Sequence, residues 1–353
     1  MNHASESQEE PRRPLGTIAC VTTGFEVAAR HPALIGLPLL LDLFLWLGPR
    51  LSIAPVLERL RGAFNAWMVA ELMTAEVADA YVLMGRLLEE LGKNFNLFSL
   101  LQPAPLLGVP LLMPVRMSAV SPLGNQVALE VRSFLLLPAI AVVMMVVGLG
   151  LAAIYLTVVA REVIAETEAA LPGPSSVLGL WGQLLKLGLL LFAILFSFAM
   201  VFSVFASLLG LISVTLAGLA MTLASSVVLF IGLHLLFTVP GIVQLRRGVL
   251  RAMQESLLLT RGDFLNVLLL LALIFVISQG LSVVWTLPDP GSWATFVGLA
   301  GHAFVSTALT AALLVFYQER LQYLRTLQKL YAAAQAERRR AAEEANVHPM
   351  VGE

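Results

Sequence analysis

The longest apolar stretch of this chain, residues 184–239, constrains the fold more than any other feature. It carries no charged residue after Lys186. A bilayer core about 30 Å thick is crossed by about 20 apolar residues, at a rise of about 1.5 Å per residue. The stretch is too long for one crossing, and it therefore predicts two membrane helices that turn near Gly210 to Ser213.

The same criterion predicts four more crossings. The chain is 58% hydrophobic and only 13% charged, whereas soluble domains are roughly 45–50% apolar and about 25% charged. The expected fold class is therefore all-α, a polytopic transmembrane helix bundle of about six spans. Besides the pair in 184–239, the predicted spans cover residues 33–48, 133–160, 264–287 and 293–316.

The positions of lysine and arginine predict the orientation, because short cytoplasmic loops retain these residues. With both termini cytoplasmic, the basic residues left outside all fall in one long loop. The first thirty residues have no signal-peptide pattern, so the first span is expected to be an uncleaved anchor. The predicted division is a cytoplasmic segment with an interfacial helix (1–32), the first span (33–48), an extracytoplasmic region (49–132), spans two to six (133–316) with an amphipathic connector (241–263), and a cytoplasmic C-terminal helix and tail (317–353).

The extracytoplasmic region contains two kinds of segment. Apolar residues at helical spacing predict an amphipathic helical hairpin, and its second helix ends at Gly92. The stretch that follows, 103–122, is apolar but contains five prolines, which deny it a continuous helix. It is either a buried loop that caps the bundle or a re-entrant segment that lines a cavity.

Ionisable residues within predicted spans are costly in lipid and usually face the bundle interior. Asp42, Gln279 and His302 lie about 9, 12 and 13 Å from the outer ends of their spans, at about 1.5 Å per residue. We therefore predict an intramembrane polar cluster in which Gln279 or His302 donates a hydrogen bond to Asp42. Such a cluster would lock the bundle or form a proton or substrate site.

Sequence signals for enzymatic chemistry are sparse. The catalytic and nucleotide-binding motifs H-E-x-x-H, G-x-S-x-G, G-x-G-x-x-G and the P-loop do not occur. The single cysteine, Cys20, and five scattered histidines predict no metal site and no cofactor. Glu162, Glu166 and Glu168 form a carboxylate cluster, which suits a cation, a general base or a solvated helix end. A nucleic-acid partner is not expected, because the net charge is −1 and no basic stripe is present.

The connector 241–263 combines a basic face, Arg246, Arg247 and Arg251, with an apolar face, and it predicts a helix at the membrane surface. Within it, an A-x-x-x-S-x-x-L-x-R-G-x-F pattern resembles a group of uncharacterised bacterial six-helix membrane proteins, similar to the membrane domain found beside glycerophosphoryl diester phosphodiesterases. Leu257 and Glu255 depart from that pattern, and no phosphodiesterase domain is present. The resemblance implies a membrane fold in a bacterial cytoplasmic membrane, and no reaction. The matching residues are Ala252, Ser256, Leu259, Arg261, Gly262 and Phe264.

Three functions compete on this basis. The first is a non-enzymatic transport-like or accessory membrane component, and transport would require a water-accessible cavity that reaches Asp42. The second is a membrane enzyme acting on lipid, for which His31, Glu26 and Arg30 are the nearest catalytic candidates. The third is a scaffold that binds protein partners through the outer hairpin or the C-terminal helix. In each case the lipid bilayer is the expected surrounding partner.

Overall fold

The computed structural model describes residues 14–68, 75–104, 107–116, 120–167, 169 and 171–347, and these are mostly helical. Parts of the predicted Pro-rich segment, residue Glu168 and both chain ends lie outside the described residues. The helices are α1 (Thr17–Arg30), α2 (Gly36–Leu47), α3 (Ala54–Met68), α4 (Ala75–Asn94), α5 (Met113–Arg116), α6 (Leu136–Glu166), α7 (Val177–Gly210), α8 (Val214–His234), α9 (Thr238–Leu245), α10 (Val249–Gly262), α11 (Phe264–Thr286) and α12 (Thr295–Val347).

Five helical segments of the described chain are long and apolar enough to cross a membrane: α6, α7, α8 with α9, α11 and α12. A sixth crossing is possible if α1 and the 32–47 segment count as one span bent by 91°. By itself α2 is about 18 Å long, at about 1.5 Å per residue, and is shorter than a bilayer core. The turn between α7 and α8 lies at residues 211–213, where the sequence predicts it.

Helix α12 lies at the centre of the packing. It begins at the predicted sixth span and continues without interruption into the C-terminal helix. Helix α1 packs across it so closely that a Cβ atom on Gly24 would lie 2.5 Å from the backbone nitrogen of Ala312. Helix α2 and helix α6 also contact α12, and the largest buried side chains of the core include Trp46, Phe316 and Tyr317.

The predicted fourth span is divided into α8 and α9 at residues 235–237. Pro240 accounts for the break, because its ring clashes with the carbonyl group four residues earlier and it has no N–H to donate. The hydroxyl of Ser256 donates to the carbonyl of His234 at 2.7 Å and accepts from the N–H of Phe237 at 3.1 Å. A side chain from α10 therefore satisfies the backbone at the break.

Residues 49–132, called the outer region below, contain two short strand pairs that an all-α fold class does not include. Strand β1 (Arg50–Ser52) pairs in parallel with β4 (Ala128–Glu130), and β2 (Val120–Ser121) pairs antiparallel with β3 (Gly124–Asn125). The β1–β4 pair joins the beginning of the outer region to its end. The hairpin formed by α3 and α4 lies between them in sequence, and the two helices pack against each other.

Candidate functional site

Asp42 is the first candidate, and it is completely buried. Its carboxylate accepts hydrogen bonds from two successive backbone N–H groups, those of Leu112 at 3.0 Å and Met113 at 2.9 Å. These groups lie at the start of the short helix α5, within the Pro-rich segment. A buried N–H needs a partner, and a segment broken by prolines cannot supply all of them internally. Asp42 therefore anchors a non-helical segment inside the bundle.

The other two members of the predicted polar cluster are placed differently. The Gln279 side chain is exposed and the His302 side chain is half-buried. Among the residues that the structure describes, neither donates a hydrogen bond to Asp42, whose bonds come from the backbone. The layer of three polar residues thus stays a prediction. The donors to Asp42 could not be found by searching for polar side chains, since they carry none.

The described part of the Pro-rich segment is packed against the helices. Leu112 and Val109 are fully buried. The preceding 3₁₀ helix, Leu97–Leu101, packs so tightly on α6 that a Cβ atom on Gly148 would overlap the carbonyl group of Leu101. Protein cover of this kind is what irregular backbone requires at membrane depth.

Arg116, in the second half of this segment, forms hydrogen bonds with the turn between α11 and α12. Its guanidinium donates to the carbonyls of Thr286 and Pro288 and to the hydroxyl of Thr295. Burial lowers the pKa of Arg116, and the charge of nearby Asp289 raises it. Arginine remains protonated in proteins at neutral pH. We call the end of the bundle that contains Trp46, Thr286 and Thr295 the outer end.

At the opposite end, called the inner end and defined by Glu166 and Arg246, α1 and α6 are joined by a charged cluster. His31 lies between two carboxylates, with Nδ1 at 3.4 Å from Glu162 and Nε2 at 3.1 Å from Glu166. Arg30 also pairs with Glu166, at 2.7 Å. The structure thus brings together residues that the sequence presents as two separate candidates, a histidine near the N-terminus and a carboxylate pair after the second span.

This charged cluster links the end of α1 to α6. Both ring nitrogens of His31 face carboxylates, which leaves neither directed at a substrate. Glu26, the third residue predicted for an interfacial enzyme site, is exposed and makes none of these contacts. Within the described ranges, no group of three or more His, Cys, Asp or Glu side chains could hold a metal ion.

The connector pattern on α10 separates into buried and exposed residues. Ala252, Ser256 and Leu259 form the buried face, and Ala252 lies near Gly241 of α9. Arg261 and Gly262 are exposed. The buried residues of the pattern therefore dock α10 on the α8–α9 break, which is a structural role.

The basic face predicted for this connector lines a groove of about 690 Å³ between α7 and the start of α10. Its three arginines are in different situations. Arg246 donates to the carbonyls of residues 172–174, Arg247 pairs with Glu255 at 3.1 Å, and Arg251 is exposed. Lys186, which is not among the site residues predicted from the sequence, lines the groove from the α7 side. Its position as the last charge before a long apolar run is the signal that could have identified it.

Comparison with known proteins finds no matching family model, no matching curated protein and no matching solved structure. The part of the chain that the structure describes is thus mostly helical and contains five or six candidate membrane spans, and no family is identified.

Proposed function

We propose that the chain is a non-enzymatic accessory component of a bacterial cytoplasmic membrane, with both termini in the cytoplasm. The bacterial location rests on the resemblance of the 241–263 connector. The observation that carries the accessory role is the environment of Asp42, which is fully buried and already accepts hydrogen bonds from two backbone groups. A transport-like role would need this carboxylate to face a water-filled path.

The inner charged cluster supports the same proposal over a lipid-modifying enzyme. General base catalysis requires a side chain within hydrogen-bond reach of a substrate proton. The ring nitrogens of His31 are instead directed at Glu162 and Glu166. Arg30, the other predicted catalytic candidate, is paired with Glu166.

Exposed apolar residues on the outer hairpin support an accessory role that involves partner proteins. They lie on the described part of α3 and α4: Leu60, Val82, Leu83, Met84, Leu87 and Leu91. A surface patch of this composition, outside the predicted spans, is typical of contact with a protein or a membrane surface. The C-terminal helix offers a second exposed surface, which includes Leu330 and Tyr331.

Cysteine accessibility tests the role of Asp42, and the chain suits it because Cys20 is the only cysteine. In a Cys20→Ala background, we expect Asp42→Cys to resist a small water-soluble thiol reagent in native membranes. Leu45→Cys is a second buried position on the same face of α2, in case Asp42→Cys does not fold. Leu123→Cys, on the exposed outer turn, is the labelled control. Rapid labelling at positions 42 and 45 would show a water path and contradict the accessory role.

The orientation has its own test. In intact spheroplasts, we expect a membrane-impermeant maleimide to label Leu123→Cys and to leave Leu330→Cys unlabelled until the membrane is permeabilised. Both side chains are exposed, so accessibility differs only through the bilayer. The opposite pattern would invert the proposed topology.

A further inference from the structure

The groove between α7 and α10 lies where two uncharged segments end. Lys186 is the last charged residue before residues 187–210 of α7, which are about 36 Å long at about 1.5 Å per residue. Arg246 is the first lysine or arginine after α8 and α9. Since each segment is long enough to cross a bilayer core of about 30 Å, the groove lies at its boundary.

The groove is strongly basic. Its lining includes Lys186, Arg246, Arg247 and Arg251, and the described lining contains no acidic residue. Arg246 and Arg247 are committed to the 172–174 loop and to Glu255. Lys186 and Arg251 are exposed, and the structure gives neither an ion pair among the described residues. Two cations on different helices thus face one groove without a protein counter-charge.

The beginning of α10 adds to the attraction for an anion. Its N-cap residue, Gly248, offers no side-chain cap, and the first turn contains no acidic residue. Uncapped N–H groups and the helix dipole favour a negative charge at this position. The N–H groups belong to the same groove, because Gly248, Val249 and Leu250 also line it.

Apolar residues beside these cations distinguish a lipid from a soluble anion. Leu250 lies next to Arg251 and is 68% exposed, and Leu190 lines the groove one turn above Lys186. Leu189 and Phe192, on either side of Leu190 in the sequence of α7, are exposed. A phospholipid would place its phosphate among the cations and its acyl chains along these residues, whereas a free phosphate would use the cations alone.

We propose that the groove between α7 and α10 is a binding site for the phosphate headgroup of an anionic phospholipid, in which Lys186 and Arg251 are the principal ligands. Arg246 and Arg247 contribute positive charge while holding the groove in shape. Basic pockets between membrane helices recognise anionic headgroups in this way. The proposal does not depend on the accessory role or on the orientation, since it concerns the groove alone.

Binding to the purified full-length protein in neutral detergent micelles tests the proposal. The probes are short-chain phosphatidylglycerol, short-chain phosphatidylcholine and inorganic phosphate, and binding is followed by native mass spectrometry and by thermal stabilisation. We expect phosphatidylglycerol to bind at least about tenfold more tightly than either of the others. We expect the double variant Lys186→Gln/Arg251→Gln to lose about tenfold or more in affinity, since it removes both of the cations that face the groove without a described ion pair.

The control is the double variant Arg261→Gln/Arg338→Gln, which removes two exposed arginines outside the groove. It should retain affinity within about twofold, because neither arginine lines the groove and exposed charges are screened by salt. Equal losses in the two double variants would mean non-specific attraction and would overturn the site. Equal binding of both lipids, or inorganic phosphate binding as tightly as phosphatidylglycerol, would overturn the lipid assignment. The single variants Lys186→Gln and Arg251→Gln keep the test available if the double variant is poorly expressed.

Discussion

Helices α7 and α12 are both candidate membrane spans, yet they are packed in opposite ways. The most apolar part of α7 has a mean hydropathy of 2.7, and only 6% of that part is buried. The most apolar part of α12 has a mean hydropathy of 1.8, and 67% of it is buried. The less apolar helix is therefore the one enclosed by protein. In a soluble protein the expected order would be the reverse.

Side-chain size explains the difference. The buried positions of α12 include many small residues, among them Ala303, Ala308, Ala311 and Ala312, while the exposed positions of α7 carry large ones such as Leu189 and Phe192. Lipid tails are as apolar as leucine, so apolar side chains gain little by leaving lipid for protein. Small residues let helix backbones approach closely, and this is what brings α1 against α12. Small residues therefore mark the close approach of α1 and α12, and the exposed large residues of α7 are where lipid contact is expected.

The largest expected effect is at Asp42, which is fully buried beside the Pro-rich segment. Asp42→Ala should lower the free energy of unfolding by about 3 kcal/mol, because the buried N–H groups of Leu112 and Met113 lose their side-chain acceptor. Asp42→Asn retains one carbonyl oxygen and should cost about 1 kcal/mol. Unfolding by sodium dodecyl sulfate in mixed micelles measures both. Gln279→Ala, an exposed polar residue of another span, should change little; a loss at Gln279 as large as at Asp42 would contradict the assignment of Asp42's donors.

A matched pair of glycines gives the second effect. Gly24→Ala should lower the free energy of unfolding by about 2 kcal/mol, because its Cβ atom would meet the backbone of Ala308 and Ala312. Gly218→Ala, on α8, meets no atom within 4 Å. It should be neutral or stabilise the protein by up to about 1 kcal/mol, as alanine is the better helix former. Equal destabilisation at both positions would break the contrast between the buried contact of α1 with α12 and the exposed surface of α8.

The smallest expected difference between two matched variants lies within one helix, α7. Leu184 is fully buried at the inner end of α7, and Leu189, five residues further along, is 70% exposed. Leu184→Ala should cost about 2 kcal/mol through lost packing, and Leu189→Ala less than about 0.5 kcal/mol. The same unfolding assay applies, with retention time on size exclusion as a check of folding. Similar costs at the two positions would place a protein contact on the surface of α7 that we assign to lipid.

Much of the architecture follows from features that are visible in the sequence. The position of the α7–α8 turn follows from the length of an uncharged run, and the break between α8 and α9 could have been predicted from Pro240, because proline acts locally. The packing of α1 across α12 could not have been predicted from the sequence, because it depends on the contact of Gly24 with Ala308 and Ala312, which lie far away in the chain. Packing of that kind has no periodic signal.

The candidate sites, too, could be predicted from the sequence only in part. Asp42 is recognisable because a charge in an apolar run is costly, but its donors are backbone groups and carry no residue signature. His31 and Glu166 are each visible, whereas their pairing depends on the bend between α1 and α2. For the basic groove, the arginines of the connector identify half of it. Lys186 completes it from a helix more than fifty residues earlier in the sequence, through the fold alone.

The uninterrupted course of α12 has a mechanical consequence. From Thr295 to Val347 it forms a single rod of about 80 Å, at about 1.5 Å per residue. Arg116 donates a hydrogen bond to Thr295 at the outer end of this helix, and α1 packs across the helix further along. The part of α12 after Arg320, which pairs with Asp263, is about 40 Å long, at about 1.5 Å per residue, and residues 328–340 within it are exposed. A tilt of about 5° where this part leaves the bundle would displace its far end by about 3.5 Å, given that length. A partner attached to that end would therefore move with small tilts of the C-terminal part of the helix.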